Sequence, residues 1–116
     1  MSRATNNVAA HRRRKKYLDE ARGNYGGRRK QYRSARETVE KGWKYAYRDR
    51  RNIKRTMRAL WIIRINAAAR QFGTTYARLI DGMKKAGIEL DRKVLAHLAA
   101  TDPKGFEAVV RSVASA

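Results

Sequence analysis

No cysteine occurs in this chain of 116 residues. That excludes a disulfide framework and any cysteine-ligated metal site. Proline is nearly as scarce, with Pro103 the one example, so little interrupts a helix. No run reaches the roughly 18 apolar residues of a membrane span. The stretch "MSRATNNVAAHRRRKK" has no apolar core of the kind a signal peptide carries. A cytoplasmic protein fits these absences. Acids are the next shortage: 10 Asp plus Glu stand against 29 Lys plus Arg, a formal net charge of +19. Such an excess points to a polyanionic partner, nucleic acid before an anionic membrane surface. Strand-type alternation is missing over any useful length, so the chain reads as all-α.

The charge is unevenly placed. Residues 1–58 hold 20 cations and 5 acids, net +15, with 18 apolar residues. Residues 59–116 hold 9 cations and 5 acids, net +4, with 31 apolar residues. The second half can build a small core. The first cannot offset its ordering entropy by burying apolar surface, and should need a partner to fix its shape. The expected organisation is a basic helical N-terminal extension over 1–58, followed by a small compact helical domain over 59–116.

Glycine supplies most of the punctuation. A first helix is expected over about 8–21. "RGNYGG" (22–27) reads as a turn in which Gly23, Asn24, Gly26 and Gly27 are available for unusual backbone angles. Arg28 to Phe72 reads as one helix with Gly42 as its weak point, about 65 Å long at 1.5 Å per residue if unbroken. Gly73 is a stop, and Thr74 or Thr75 can cap the next helix, which carries Tyr76, Leu79, Ile80 and Met83. Gly87 ends it. Asp91 can cap a helix bearing Val94, Leu95 and Leu98, and Asp102 with Pro103 makes a cap followed by a first-turn proline. Phe106, Val109, Val110 and Val113 form the last stripe. These three helices are expected to close over "ALWII" (59–63), with Trp61 the largest candidate core residue.

On a helical wheel Lys44, Arg48, Arg50, Arg51, Lys54, Arg55 and Arg58 fall within an arc of roughly 160°. Tyr45, Ala46, Ile53, Met57 and Leu60 lie opposite, so Ile53, Met57 and Leu60 are expected to face protein or the domain core. Sorting of this kind suits a helix with phosphates on one side. The run Arg12, Arg13, Arg14, Lys15 and Lys16 instead points all round its helix, which suits folded RNA better than the single groove of a DNA duplex. Tyr17, Tyr25, Tyr32, Trp43, Tyr45 and Tyr47 are interleaved with cations, and such rings can stack on unpaired bases. In the second half Lys84 and Lys85 end one helix and Arg92 and Lys93 open the next. The short linker "AGIEL" should bring these four together as a phosphate site, because cations at a helix start oppose its dipole and have no stabilising motive there.

"YAYRDRR" (45–51) followed by Lys54 and Arg55, "LWI" (60–62), "RINAA" (64–68), "KKAGIELDRKVLA" (84–96) and "ARGNYGGR" (21–28) together resemble the twentieth large-subunit ribosomal protein of bacteria, the L-twenty family. The resemblance covers about 3–113. It implies a long basic helical extension threaded into the large-subunit ribosomal RNA, with Arg22 and Arg28 among its contacts, and a small helical domain seated on an RNA surface. It implies a place in the ribosome beside other large-subunit proteins, a role in early subunit assembly and, in some members, repression of the protein's own messenger RNA. The chain departs from the family pattern at Thr5, Asn6 and His11, where basic residues are usual. Asn24 replaces a usual aromatic, and Asn7 replaces a glycine, where it is expected to tolerate left-handed angles.

Two rival classes carry less. His11 and His97 have no partner constellation, and His97 is expected to sit near an apolar helix face as a structural residue. No phosphate-binding glycine loop is present. Neither catalytic residue, metal site, cofactor nor small-molecule substrate is therefore expected. A DNA-compacting protein is the second rival, since 74–100 can be misread as a helix-turn-helix.

Overall fold

In a computed structural model, Arg3 and residues 5–115 are described. Six helices and no strand occur among them: α1 (Asn7–Glu20), α2 (Gly27–Lys30), α3 (Tyr32–Gln71), α4 (Tyr76–Lys85), α5 (Arg92–Thr101) and α6 (Pro103–Ala114). The chain forms two compact units, Met1–Arg51 and Asn52–Ala116, and the division falls inside α3.

In the first unit, α1 begins after Asn6, whose φ is 64°. The left-handed residue is thus Asn6 and not Asn7, which is already helical. In the turn, Gly23 and Gly26 take positive φ, while Asn24 and Gly27 do not. The expected single helix from Arg28 is broken at Gln31, whose φ of −82° and ψ of 117° are extended. Gly42 is passed without interruption. Packing decides the position of the break. Gln31 still accepts from the Ala35 amide at 2.8 Å, so it starts α3. The new direction buries Ala35 and Val39 against Ala21, with Tyr17 and Leu18 beside them. The Tyr17 and Tyr32 rings meet edge to face, with centroids 6.2 Å apart.

The second unit holds the larger core. Ile65, Ala68 and Ala69 of α3 pack with Leu79 and Met83 of α4, Leu95 and Ala96 of α5, and Phe106 of α6. Each large side chain fully buried here stabilises the fold by about 1.5–3 kcal/mol relative to exposure. This core lies further along α3 than "ALWII". Trp61 is only half-buried at its margin, and Phe106 is the largest side chain fully enclosed. Val94 is 43% exposed, while its neighbours Leu95 and Ala96 are buried. His97 is exposed, so it is no core histidine.

The turns follow their local chemistry. Gly73 and Gly87 have φ of 75° and 68°. Each ends its helix with the paired amide bonds of a left-handed C-terminal cap, Thr74 to Ala69 at 3.0 Å and Ile88 to Met83 at 2.9 Å. Thr75, Asp91 and Asp102 cap α4, α5 and α6 through their side chains. Gly82 lets α4 approach α6, since a Cβ there would overlap the Val113 side chain.

Candidate nucleic-acid interface

The acids are nearly all engaged inside the protein. Asp19, Glu37, Glu40, Asp49, Asp81 and Glu107 form ion pairs with Arg22, Arg33, Arg36, Arg48, Lys85 and Arg111. Asp91 and Asp102 cap helices. Glu20 accepts from Trp43 Nε1 at 3.0 Å. Few carboxylates remain to neutralise the other cations.

In the first unit an acid-and-aromatic clasp joins α1 to α3. Glu40 Oε1 accepts from Arg36 Nε at 2.9 Å and from the Tyr17 hydroxyl at 3.2 Å. The Arg36 hydrogen bond holds the Glu40 carboxyl below its ordinary value, with help from Tyr17. Loss of surrounding water, then the bond to Glu40, pushes the Tyr17 phenol up. The clasp positions α1 while Arg12, Arg13, Arg14, Lys15 and Lys16 all stay exposed. None of the five has a carboxylate partner among the described residues, and Arg14 lies 5.8 Å over the Tyr32 ring. Arg28 is likewise exposed and free of carboxylates, whereas Arg22 sits 3.7 Å from Asp19. Tyr25, at 95% exposure, is the aromatic most open for stacking in this turn.

Every residue from Lys41 to Ala59 is exposed. In the first unit Arg48 lies 4.7 Å over the Tyr45 ring and bonds Asp49 at 2.9 Å, and Arg51 lies 4.2 Å over Tyr47. Lys44 and Arg50 are uncommitted to any carboxylate among the described residues, as are Lys54, Arg55 and Arg58 in the second unit. Sequence reasoning passed over Lys41, which lies 5.2 Å over Tyr45. Its i,i+4 spacing to that ring was the available signal.

The opposite side of this segment corrects one expectation. Ile53 is 58% and Met57 37% exposed, and only Leu60 is half-buried, so neither Ile53 nor Met57 faces the domain core. The reason lies in the helical period. The 53, 57, 60 stripe continues to Arg64, Ala67 and Gln71, all exposed, whereas the core takes the separate stripe of 61, 65, 68, 69 and 72.

In the compact unit the four expected cations behave differently. Lys85 bonds Asp81 at 2.8 Å, and that bond raises its pKa. Lys84 and Lys93 are exposed with no carboxylate partner among the described residues. Arg92 is half-buried and donates from Nε to the Tyr76 hydroxyl at 2.7 Å. Tyr76 belongs to the apolar stripe of α4, and its hydroxyl bond across two helices has no local sequence signal. No metal-binding group of His, Asp or Glu is formed among the described residues, and none of their helices is long and apolar enough to cross a membrane.

Residues 3–109 match the family described as ribosomal protein L20. The chain is 52% identical over 116 residues to the large ribosomal subunit protein bL20 of Parvibaculum lavamentivorans, covering 100% of this chain and 98% of that protein. It is 53% identical over 116 residues to the protein of the same name from Legionella pneumophila, again covering 100% and 98%. The bL20 of Marinobacter nauticus is 56% identical over 110 residues, covering 95% of this chain and 94% of that protein.

Proposed function

Because the chain belongs to the ribosomal protein L20 family, whose place is the large subunit of the cytoplasmic ribosome, we propose that it binds the large-subunit ribosomal RNA directly and supports early assembly of that subunit. The observation that carries this reading is the engagement of the acids inside the fold, which leaves runs of exposed cations facing outward. The run 12–16, Arg22 and Arg28, and the cations of 44–58 serve the extension. Lys84, Lys85, Arg92 and Lys93 serve the compact unit. Positive charge spread around α1 fits RNA that surrounds a helix, and exposed tyrosines under guanidinium groups offer stacking surfaces for unpaired bases. The role is structural and not catalytic. The neighbours are other large-subunit proteins, and the family resemblance adds the protein's own messenger RNA as a second target.

The test is binding of the full chain to a large-subunit ribosomal RNA transcript and to duplex DNA at matched salt. So basic a protein binds any polyanion, so the preference and its persistence as salt rises are the informative quantities. A strong ribosomal RNA preference with a discrete footprint is expected. Equal binding to both favours a DNA-compacting protein. Competition by the chain's own messenger leader tests the second target.

A further inference from the structure

Three helices of the compact unit meet in a short polar relay. At the start of α4 the Tyr76 amide donates to Asn66 Oδ1 of α3 at 3.3 Å. The Tyr76 ring packs against the core, and its hydroxyl accepts from Arg92 Nε of α5 at 2.7 Å. The Arg92 backbone is itself fixed, because Asp91 caps α5 through the Val94 amide at 2.7 Å. Both ends of the Tyr76–Arg92 bond are therefore held by structure that does not depend on it.

The chemistry of this bond differs from that of the ion pairs elsewhere in the chain. A carboxylate in place of the phenol would orient the guanidinium and also cancel its charge, as Asp81 does for Lys85. The phenol is neutral, so it orients the group and leaves the positive charge intact. With Nε occupied, the edge of the guanidinium that contains Nε is closed. The edge made by the two terminal amines remains, and it carries parallel N–H donors in a planar fork. That fork matches two oxygens of one phosphate. It has no carboxylate partner among the described residues.

We infer that Tyr76 is a positioning residue that aims the terminal amines of Arg92 at a single RNA backbone phosphate, gripped through two parallel hydrogen bonds. The inference rests on the RNA-binding reading above and adds the ligand group and the geometry of its capture. A freely rotating arginine would have to order several side-chain torsions on binding, and Tyr76 removes much of that cost in advance. The Tyr76 ring does the packing, so deletion of its hydroxyl alone separates orientation from folding.

The experiment uses the full chain, a large-subunit ribosomal RNA transcript, and the variants Tyr76→Phe, Arg92→Ala, Arg92→Lys and the double variant Tyr76→Phe/Arg92→Ala. Dissociation constants are measured across a salt series, and thermal unfolding of each variant is followed by circular dichroism. Arg92→Ala is expected to weaken binding by about tenfold or more, as loss of a charge-assisted hydrogen-bond pair does, with the salt slope reduced by about one. Arg92→Lys should keep the slope and lose most of the affinity, since an ammonium makes no fork. Tyr76→Phe should weaken binding by about threefold or more while the slope stays, and should have no further effect once Arg92 is Ala. Wild-type affinity in Tyr76→Phe beside weak binding in Arg92→Ala overturns the positioning role and leaves the RNA-binding reading standing. Equal losses from Tyr76→Phe in both backgrounds overturn it too, because Tyr76 then acts through something other than Arg92. Wild-type affinity in Arg92→Ala removes the phosphate contact itself. The general reading is judged separately, by the preference for ribosomal RNA over DNA.

Discussion

Lys85 and Arg92 carry the same charge and meet different acceptors. Lys85 is bound to a carboxylate and Arg92 to a phenol, so only the second keeps its full charge for a partner. The same comparison applies along α3. Arg48 shares its charge with Asp49, whereas Arg51 and Arg55 have no carboxylate among the described residues. Changing Arg48, Arg51 and Arg55 to Gln should flatten the salt dependence of ribosomal RNA binding by about one unit of slope per lost phosphate contact. Titration across a salt series checks this, and an unchanged slope would mark the face as merely solvated. Gly82 gives a prediction of the opposite kind, about the fold. Ala is the better helix former by about 1 kcal/mol, but its Cβ would overlap the Val113 side chain, and overpacking costs about 1–3 kcal/mol. Val113 is β-branched and stiff. Gly82→Ala should therefore lower stability by up to about 2 kcal/mol, and adding Val113→Ala should recover part of it in urea unfolding.

At the scale of the element, α1 is held to α3 by few apolar contacts and several polar ones. Ala21, Ala35 and Val39 are the buried residues. Around them Glu40 takes Arg36 and Tyr17, and Glu20 takes Trp43. The Glu40 carboxyl lies below its ordinary value of 4.5 when the clasp is formed. Its contribution is then present above that ordinary value and lost as pH falls through the depressed one. Acidification from neutral pH to well below that ordinary value should loosen α1 from α3, with little change above it. Trp43 fluorescence in a Trp61→Phe background reports this, since Trp43 Nε1 bonds Glu20 and its ring centroid lies 5.6 Å from that of Tyr17. Glu40→Gln should remove much of the transition.

At the scale of the whole molecule, the two units divide the work by composition. The first is rich in cations and poor in buried apolar residues, while the second encloses Phe106, Ile65, Leu79 and Leu95 completely. Specificity for the RNA site should therefore reside in the unit that has a fixed shape of its own. A fragment spanning Asn52–Ala116 should fold and should prefer the cognate ribosomal RNA over a scrambled duplex, with weaker absolute binding than the full chain. Gel-shift competition decides this. A folded fragment without preference would place specificity in residues 1–51.

The all-α class, the caps at Thr75, Asp91 and Asp102, the stops at Gly73 and Gly87, and the split between a charged half and an apolar half were set by sequence alone. Each rests on local rules: apolar period, backbone freedom, side-chain oxygens near free amides, and net charge. The family, too, was legible in long matched strings. Tertiary structure decided which of two apolar stripes on α3 became core, since Ile53 and Met57 have the right period but continue into Arg64 and Gln71. It decided the break at Gln31, a residue with no breaking tendency, because burial of Ala35 and Val39 against Ala21 required it. The ion pairs, by contrast, join residues one, three or four positions apart and so follow local helical spacing. Only packing brings Tyr76 and Arg92 within hydrogen-bond distance across two helices, and no pattern of nearby residues encodes a contact between side chains sixteen positions apart.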